Sequence, residues 1–429
     1  MRRLDASASG FDAAFAELLG DQRELSEDVG AAVAAILAAV RQRGDAALVE
    51  YTQRFDGLNL TEAPMGITAE EVARARAEVA PEVIEALHFA RDRIAAFHER
   101  QRPQDVRHTD ATGATLGWRW TALDAVGLYV PGGRAAYPSS LLMNAVPAAV
   151  AGVGRVVMVT PAPGGRIEPV VLAAAEVAGV TEIWRVGGAQ AIAALAYGTE
   201  TIRPVDKIVG PGNAYVASAK RQVFGVVGID MIAGPSEVVV VADRSADPTL
   251  VAADLLAQAE HDEVAQAILI TDDAALADAV AAAVEEQLAA LPRREVATAS
   301  WEGHGAVIVV PDLDAAAALI DKLAPEHLQL AVADPERLAE RVRHAGAIFL
   351  GALTPEAIGD YVGGPNHVLP TSRSARYSSG LSVQDFLKRT TLLGLDRGAL
   401  EALAGPAMTL AAAEGLDAHR LSIARRLKG

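Results

Sequence analysis

The stretch AVGLYVPGGRAAYPSSLLMNAVPAAVAGVGRVVMVT, residues 125–160, decides the fold class. A short apolar run over 125–130 ends in a turn at Pro131-Gly132-Gly133-Arg134, a helical pattern covers 139–151, and a second apolar run covers 155–160. Two apolar strands joined by a helix form a βαβ unit, so this stretch predicts a parallel sheet that is covered by helices on both faces.

The same alternation continues to residue 241. Strands are predicted over 182–186, 206–209, 230–233 and 237–241, with helices over 168–178, after Gly187-Gly188-Ala189-Gln190 and after Pro211-Gly212-Asn213. Ligands of parallel sheets bind at the carboxyl ends of strands, where glycine-rich turns such as YVPGG, VGGAQ and VGPGN let the backbone approach. The usual fingerprint G-x-G-x-x-G is absent, because Gly152-Val153-Gly154 follows a helix and precedes a strand. The glycines therefore either serve tight turns only or belong to an atypical dinucleotide site.

A second alternating block begins with a helix at Asp247, which is a good N-cap before Pro248 at the first helical position. Its strands are predicted over 266–271, 306–310, 328–332 and 347–350, and its further helices over 273–291, 313–323 and 335–345. Two parallel-sheet domains side by side would leave a cleft between them, which is the usual place for a small-molecule site.

The two ends of the chain lie outside these blocks. Residues 1–110 show helical patterns over 31–40, 69–79 and 81–100 and are interpreted as a packing and assembly layer, in which His88, His98 and His108 are surface or packing residues. The segment 416–427 is predicted to be a basic amphipathic helix.

Composition excludes several classes of protein. On a scale of ~150 residues per domain, the 429 residues predict about three domains. The net charge of -17 argues against a nucleic-acid partner. There is no cysteine, so disulfides, thiolate zinc sites and thiol nucleophiles are excluded. The amino terminus carries Asp5 and Asp12 before any apolar segment and the run 31–40 is too short to span a bilayer, so we expect a cytoplasmic enzyme without a membrane partner.

Residues suited to metal binding occur in both halves of the second block and in the tail. Gln258 and His261 are three residues apart and share one face of the predicted helix, so the pair can face one metal ion. Asp360 in a glycine-rich loop and His419 in the tail are further donors. The alternative is that the pair is capped or solvated, that Asp360 is a turn residue and that His419 is a solvated tail residue.

An adjacent carboxylate and imidazole, Glu326-His327, follow Pro325, which should stop the preceding helix. A histidine near neutral pKa can accept protons repeatedly, and a glutamate beside it can activate water. Such a set suits a metal-assisted enzyme, including a zinc-dependent hydrolase. A two-domain binding protein would have a similar cleft but no need of this pair, and Glu326 could also be a surface residue that leads into a strand.

Taken together in this order and spacing, nine motifs resemble the histidinol dehydrogenase family, from about residue 25 to the end: YVPGG, VGGAQAIAALAYGT, VDKIVGPGN, AGPSE, AQAEHD, PEHLQL, GDY, GPNHVLPT and AAAEGLDAH. The resemblance implies oxidation of L-histidinol to L-histidine through L-histidinaldehyde, by two successive hydride transfers to NAD at the end of histidine biosynthesis. It also implies a zinc-requiring homodimer whose tail crosses to the neighbouring subunit, where Glu414 and His419 complete the partner's site.

The resemblance implies a role for each matching residue. Glu326 would activate water and His327 would be the catalytic base. The zinc ligands, one ion per subunit, would be Gln258, His261, Asp360 and His419. Substrate contacts would come from Ser236, Gln258, His261, His327, Asp360, Glu414 and His419, and NAD contacts from Tyr129, Gln190 and Asn213.

The expected fold is α/β, with two Rossmann-like parallel-sheet domains that lack the usual dinucleotide fingerprint and with small helical segments at both ends that form a dimer arm. The expected layout is an amino-terminal helical segment over 1–24, a first α/β domain with the metal and catalytic residues over 25–128 plus 238–380, a second α/β domain with the NAD contacts over 129–237, and a carboxyl-terminal helical tail over 381–429.

Overall fold

The structure is a computed structural model that describes residues 1–20, 27–132, 137–232 and 234–428. Its strands are β1 (Arg2–Asp5), β2 (Val106–Thr109), β3 (Thr115–Ala122), β4 (Ala125–Tyr129), β5 (Arg155–Val159), β6 (Glu182–Trp184), β7 (Lys207–Val209), β8 (Gly228–Ile229), β9 (Glu237–Ala242), β10 (Gln266–Thr271), β11 (Ala306–Val309), β12 (His327–Ala331), β13 (Ala347–Leu350) and β14 (Leu387–Gly394).

The helices alternate with these strands through most of the chain. They are α1 (Phe11–Leu19), α2 (Glu27–Arg43), α3 (Asp45–Asp56), α4 (Ala69–Glu78), α5 (Pro81–Glu99), α6 (Pro138–Ala151), α7 (Pro169–Val177), α8 (Gly188–Tyr197), α9 (Ala214–Val223), α10 (Pro248–Ala259), α11 (Ala274–Leu288), α12 (Arg294–His304), α13 (Leu313–Leu323), α14 (Pro335–Ala339), α15 (Glu356–Tyr361), α16 (Arg397–Ala413) and α17 (Asp417–Leu427). Within the described ranges, no helix combines the length and apolar character needed to cross a membrane.

Two parallel sheets organise the molecule. The five-stranded sheet has the order β6-β5-β4-β7-β8, and the six-stranded sheet has the order β1-β11-β10-β9-β12-β13. In each sheet the first strand of a βαβ series, β4 or β9, lies between the second and the fourth strand of that series. This is the doubly wound arrangement, and it confirms the prediction of two Rossmann-like sheets.

Both faces of each sheet are buried, which explains why the strands are apolar throughout rather than alternating. On β4, Val126 and Leu128 join the core under α5, α6 and α7, whereas Ala125 and Tyr129 join the core under α2, α8 and α9. The six-stranded sheet packs in the same way between α10, α11 and α12 on one face and α1, α13 and α14 on the other.

Helices α2 and α3 pack against the five-stranded sheet. The predicted layout groups residues 25–128 with the metal-bearing domain instead, so the observed packing differs from that grouping, while the boundaries at 237 and 380 stay predictions. Apolar periodicity shows that a helix has a buried face but does not say which sheet that face covers.

The segment predicted as helical over 1–24 contains α1 but begins with a strand. Residues of β1 pair in parallel with β11 at the edge of the six-stranded sheet, with Leu4 opposite Ile308. This strand is four residues long and its burial alternates, so its sequence carries little apolar signal.

A three-stranded antiparallel sheet with the order β14-β3-β2 was not predicted, and it corrects the purely helical interpretation of residues 381–429. Its strand β14 pairs with β3 over eight residues, from Leu387 opposite Ala122 to Gly394 opposite Thr115. Most of β14 is exposed, so it lacks the apolar run by which the buried strands were predicted.

A strand was predicted over 230–233, but residues 230–232 do not form one, so this prediction is wrong for them. Ala233 and the predicted turn residues 133–136 lie outside the described residues. The strand β8 ends at Ile229, after which Asp230 turns into the fold. Its Oδ2 accepts a 2.8 Å hydrogen bond from the N–H of Gly210, and its carboxylate forms a buried ion pair with Lys220. The helix predicted over 335–345 also ends early, at Ala339.

Candidate active site

The candidate site lies at the amino ends of β9 and β12, which are neighbours in the six-stranded sheet. Glu237 opens β9, and His327 opens β12 directly after Glu326. Helix α13 ends at Ala324, whose φ of 46° is left-handed, and Pro325 then holds the chain out of the helix. This local geometry brings two adjacent ionisable residues to one end of a buried strand.

Helices α10 and α15 bring three more polar residues to the same place. Helix α10 begins at its Asp247 cap, as predicted, and carries Gln258 near its carboxyl end, with His261 just beyond. The His261 Nε2 atom lies 3.9 Å from Oδ2 of Asp360, which belongs to α15. The charges of Asp360 and His261 both act on His327, so the structure brings these two residues close to it, although His261 precedes it by 66 positions and Asp360 follows it by 33.

Gln258 is completely buried, and neither its Oε1 nor its Nε2 atom has a hydrogen-bond partner among the described residues. A buried amide without a partner costs about 1–3 kcal/mol, so native structures seldom contain one without a reason. The backbone carbonyl oxygen of Gln258 accepts a 3.2 Å hydrogen bond from the N–H of His261, whose imidazole lies near Asp360, so the unpartnered amide belongs to the same end of α10 as these polar groups. The alternative interpretation, in which Gln258 is a capped or solvated surface residue, does not fit a side chain that is neither exposed nor hydrogen-bonded.

Asp360 is held by the loop that follows it. The Nδ1 atom of His367 lies 2.9 Å from the backbone oxygen of Asp360 and 3.4 Å from its Oδ1 atom. Burial acts to raise the pKa of Asp360, but the hydrogen bond and charge of His367 outweigh burial and lower it. Asp360 is therefore a carboxylate near neutral pH, which is the form that binds a cation.

The loop after α15 is attached to the other half of the molecule. Arg93 on α5 donates to the carbonyl oxygens of Val362 at 2.6 Å and Gly363 at 2.9 Å. The Nδ2 atom of Asn366 donates to the carbonyl oxygen of Met143 on α6 at 2.6 Å. Because α5 and α6 cover the five-stranded sheet, the position of Asp360 depends on contacts from both halves.

His327 and Glu326 are both buried and have opposite pKa shifts. Burial lowers the pKa of His327 to about 4, against the opposing influence of the Asp360 carboxylate. Burial also raises the pKa of Glu326 well above its usual range, although a 2.9 Å hydrogen bond from the N–H of Glu237 opposes this shift. Perturbed pairs of this kind are typical of proton-transfer sites.

Sequence reasoning missed Glu356. Its side chain is buried on α15, one turn before Asp360, with Oε1 3.7 Å from Nε2 of His327. Burial first, and then the charges of Asp360 and Asp254, raise its pKa well above the usual range. Potential ligand atoms of His327, Glu356 and Asp360 lie within 4.8 Å of one another. The signal in the sequence was the pair of carboxylates four residues apart, which share one helix face.

The tail residues are not brought to this group within the chain. Glu414 follows α16 and His419 belongs to α17, and both side chains are exposed, with no hydrogen bond or ion pair to other described residues. Ser236 precedes β9 and is half-buried, and its carbonyl oxygen accepts from the N–H of Gln266 at 3.0 Å.

The three predicted NAD contacts lie at the carboxyl edge of the five-stranded sheet or on the turns that follow it. The hydroxyl of Tyr129 accepts a 3.0 Å hydrogen bond from the N–H of Gly188. Asn213 caps α9, since its Oδ1 accepts from the N–H groups of Tyr215 and Val216. Gln190 is buried, and its Oε1 has no partner in the described part of the chain.

Packing explains two of the glycines in these turns. A Cβ atom at Gly187 would lie 2.4 Å from the Cβ atom of Pro161, and one at Gly210, where φ is 110°, would lie 2.2 Å from the carbonyl oxygen of Tyr129. The turns therefore need glycine to pack against each other whether or not a dinucleotide binds there.

Comparison with known proteins identifies the family. A sequence model of the family described as histidinol dehydrogenase matches residues 20–427. The chain belongs to the histidinol dehydrogenase family. It is thus an oxidoreductase of this family, as the motifs predicted.

Individual relatives agree with this assignment over the whole length. The chain is 64% identical over 424 residues to a histidinol dehydrogenase from Mesorhizobium japonicum, with 99% of both chains covered. It is 63% identical over 426 residues to one from Rhodospirillum rubrum, covering 99% of this chain and 98% of the relative. The crystal structure of histidinol dehydrogenase from Elizabethkingia anophelis matches with a TM-score of 0.95 at 35% identity, covering 100% of this chain and 98% of that one.

Proposed function

We propose that the protein catalyses the zinc-requiring, NAD-dependent oxidation of L-histidinol to L-histidine through L-histidinaldehyde, as the final steps of histidine biosynthesis in the cytoplasm. Membership of the histidinol dehydrogenase family supports the substrate class. The observation that carries the chemistry is the buried, unpartnered amide of Gln258, three residues before a His261 that lies near Asp360, together with a His327 whose lowered pKa keeps it neutral.

Zinc would be held by Gln258, His261 and Asp360 of one subunit together with His419 of a neighbour. The donor set fits, since amide, imidazole and carboxylate atoms are suitable zinc ligands and the chain has no cysteine. When bound, the ion would anchor the imidazole and amine of the substrate and so fix the position of its alcohol carbon.

An alternative metal position between His327, Glu356 and Asp360 fits less well. Its potential ligand atoms lie within 4.8 Å of one another. Burial raises the pKa of Glu356 well above its usual range, which disfavours the ionised form that a cation would need. Ligation through Nε2 would also remove the lone pair by which His327 acts as a base. Gln258 would then still lack a partner, so the first position explains more of the structure.

His327 would act as the base at Nε2. This atom is buried and has no hydrogen-bond partner within the described ranges. In the first oxidation the proton of the substrate hydroxyl moves to Nε2, while the hydride on the alcohol carbon moves to NAD. The products are the aldehyde and NADH, and the proton on His327 returns to solvent before the second oxidation.

Glu326 would activate the water that attacks the aldehyde carbon. As a carboxylate it takes one proton from that water while the new C–O bond forms, and it returns this proton to the former carbonyl oxygen, which gives the hydrate. His327 then takes a proton from the hydrate as the second hydride moves to a second NAD, which gives the carboxylic acid. The raised pKa of Glu326 makes its carboxylate a stronger base once it is ionised.

NAD would contact Tyr129, Gln190 and Asn213. The buried Gln190 Oε1 atom fits a ligand that donates a hydrogen bond, since it lacks a partner among the described residues. The side chain of Asn213 is exposed and has its Nδ2 donors available while Oδ1 caps α9. A lightly held dinucleotide suits a reaction in which two NAD molecules must bind in turn.

The partner of the chain would be a second copy, with the tails exchanged. The exposure of Glu414 and His419 supports this arrangement, because neither side chain is engaged by the described residues of its own chain. The two would then complete the substrate and metal site of the neighbouring subunit.

The test is to mix the protein with L-histidinol and NAD and to follow NADH absorbance with and without a chelator. We expect NADH to form, with two NADH per histidinol, and the chelator to abolish its formation. A zinc-dependent hydrolase or a non-catalytic binding protein would form no NADH, and unchanged formation after complete removal of metal would contradict the zinc requirement.

A further inference from the structure

A carboxylate outside the proposed catalytic group lies at the carboxyl edge of the five-stranded sheet. Asp56 is the last residue of α3, and Gly57 ends that helix with a left-handed φ of 66°. The Oδ2 atom of Asp56 accepts a 3.4 Å hydrogen bond from the N–H of Ala162, in the turn after β5. The contact joins two segments that are 106 positions apart in the chain.

This position is unfavourable for a negative charge. The carboxyl end of a helix carries a partial negative charge, so an aspartate there is disfavoured. Asp56 is also half-buried, and burial raises its pKa. Among the described residues, no cation forms an ion pair with Asp56. The guanidinium of Arg54, two residues before it, lies over the ring of Phe55, 5.3 Å from the ring centroid. A carboxylate kept in such surroundings is a candidate for binding.

The topology indicates what it would bind. In a doubly wound sheet, an acidic residue at the end of the second strand accepts a hydrogen bond from the 2′-hydroxyl of the adenosine ribose of NAD. The second strand here is β5, and the chain continues from it as Thr160-Pro161-Ala162, without a carboxylate. The Asp56 carboxylate, carried by α3, lies at that place.

Asp56 is also near a predicted NAD contact. Burial raises the pKa of Tyr129 to about 12, and the negative charge of Asp56 adds to this increase. Tyr129 ends β4, the first strand, so Asp56 borders the ends of the first and second strands together.

We infer that Asp56 accepts a hydrogen bond from the 2′-hydroxyl of the adenosine ribose of NAD and repels the 2′-phosphate of NADP, so that this residue selects the dinucleotide. The inference rests on the proposed NAD dependence. In this protein the acidic residue comes from α3, a helix that precedes the whole sheet in the sequence, instead of from the end of the second strand.

The experiment compares the full-length protein with its Asp56→Asn variant by calorimetric titration with NAD, with NADP and with the NAD analogue that lacks the adenosine 2′-hydroxyl. We expect Asp56→Asn to bind NAD about tenfold more weakly, with the preference for NAD over NADP reduced by at least as much. Both proteins should bind the 2′-deoxy analogue equally, because the hydroxyl that distinguishes them is gone. With L-histidinol, KM for NAD should rise while kcat changes little.

Asp45→Asn is the matched control. Asp45 lies at the other end of α3, and its Oδ1 also accepts a 3.4 Å backbone hydrogen bond, from Thr201. Thermal unfolding reports any loss of stability through looser attachment of α3 in either variant, whereas the NAD preference should change only in Asp56→Asn.

Two results would overturn the inference alone: Asp56→Asn binding NAD like the wild type, or showing the same weakening with the 2′-deoxy analogue. A wild-type protein that neither binds NAD nor reduces it with histidinol would overturn the proposed function and this inference with it.

Discussion

The Nδ1 atom of His327 lies 3.0 Å from the carbonyl oxygen of Glu237. A carbonyl oxygen only accepts, so Nδ1 carries the proton and Nε2 keeps its lone pair in the neutral ring. The N–H of the same Glu237 donates to Oε2 of Glu326 at 2.9 Å. The backbone carbonyl and N–H groups of Glu237 therefore fix the tautomer of the His327 imidazole and the orientation of the Glu326 carboxyl group.

Replacing His327 by Asn should abolish most turnover without loss of metal. The Asn amide can still donate toward Glu237, but it has no basic nitrogen in place of Nε2. We expect kcat for histidinol oxidation to fall by about 10²–10⁴-fold, with zinc content and histidinol binding retained. His108→Asn, on the exposed face of β2, is the control. Near-normal turnover in His327→Asn would rule out its role as base.

Replacing Glu326 by Gln should separate the two oxidations. The side chain still accepts from the N–H of Glu237, but it cannot take a proton from water. With L-histidinaldehyde supplied directly, we expect oxidation to slow by about 10²-fold, whereas the first hydride transfer from L-histidinol slows much less. Stopped-flow measurement of NADH formation resolves the two steps. Equal slowing of both would show that water activation is not the distinct task of Glu326.

The raised pKa of Glu326 also predicts how stability depends on pH. Above its ordinary pKa of 4.5 the folded state still holds the proton that the unfolded state has lost, so this group lowers the free energy of unfolding as pH rises. The slope is up to about 1.4 kcal/mol per pH unit until the folded-state pKa is reached. In chelator, Glu326→Gln should therefore gain stability relative to wild type as the pH rises above the ordinary pKa of 4.5. The lowered pKa of His327 has the opposite effect on the pH dependence of stability, but it is present in both proteins and does not contribute to the difference between them. Denaturant unfolding at several pH values checks this, and a constant difference would contradict it.

Replacing Gln258 by Leu should weaken zinc binding and increase the stability of the metal-free protein. The substitution removes a buried amide that lacks a partner, so the metal-free variant should be more stable than the wild type by about 1–3 kcal/mol. Its zinc content after dialysis against zinc should fall. The control is Gln329→Leu, which removes the donor to Oδ2 of Asp254 and should destabilise the protein. Wild-type zinc retention in Gln258→Leu would show that this amide is not a ligand.

Mixing two inactive variants should restore activity if the tails are exchanged. His261→Asn and His419→Asn damage different halves of the proposed shared site, so a mixed dimer has one intact site. Random exchange of subunits would then return about a quarter of wild-type activity, because half of the dimers are mixed and each has one of two sites. With one of the two variants labelled with ¹⁵N, native mass spectrometry measures the mixed dimers. Their presence without activity would contradict the shared site.

Local patterns were sufficient for most elements of the two parallel sheets. Helix α13 was predicted with the bounds that the structure shows, and Pro325 marks its end locally because proline does not continue a helix. The pair Gln258 and His261 could be placed on one helix face because i,i+3 spacing is a local property. The motifs identified the family for the same reason, since each is a short segment whose order along the chain is fixed.

The tertiary structure decided what depends on distant segments. Strand β1 belongs to the six-stranded sheet only because β11, three hundred residues later, offers an edge, and β14 pairs with β3 across a similar gap. The folded environment decided the rest. It left the buried Gln258 amide without a partner, shifted the pKa values of His327 and Glu326 in opposite directions, and brought Asp56 to a turn that its own sequence neighbours do not indicate. The sequence by itself determined most elements of the two parallel sheets and the family, because caps, turns and apolar periods act over a few residues. The environment of each ionisable side chain arises from segments that meet only in the folded protein.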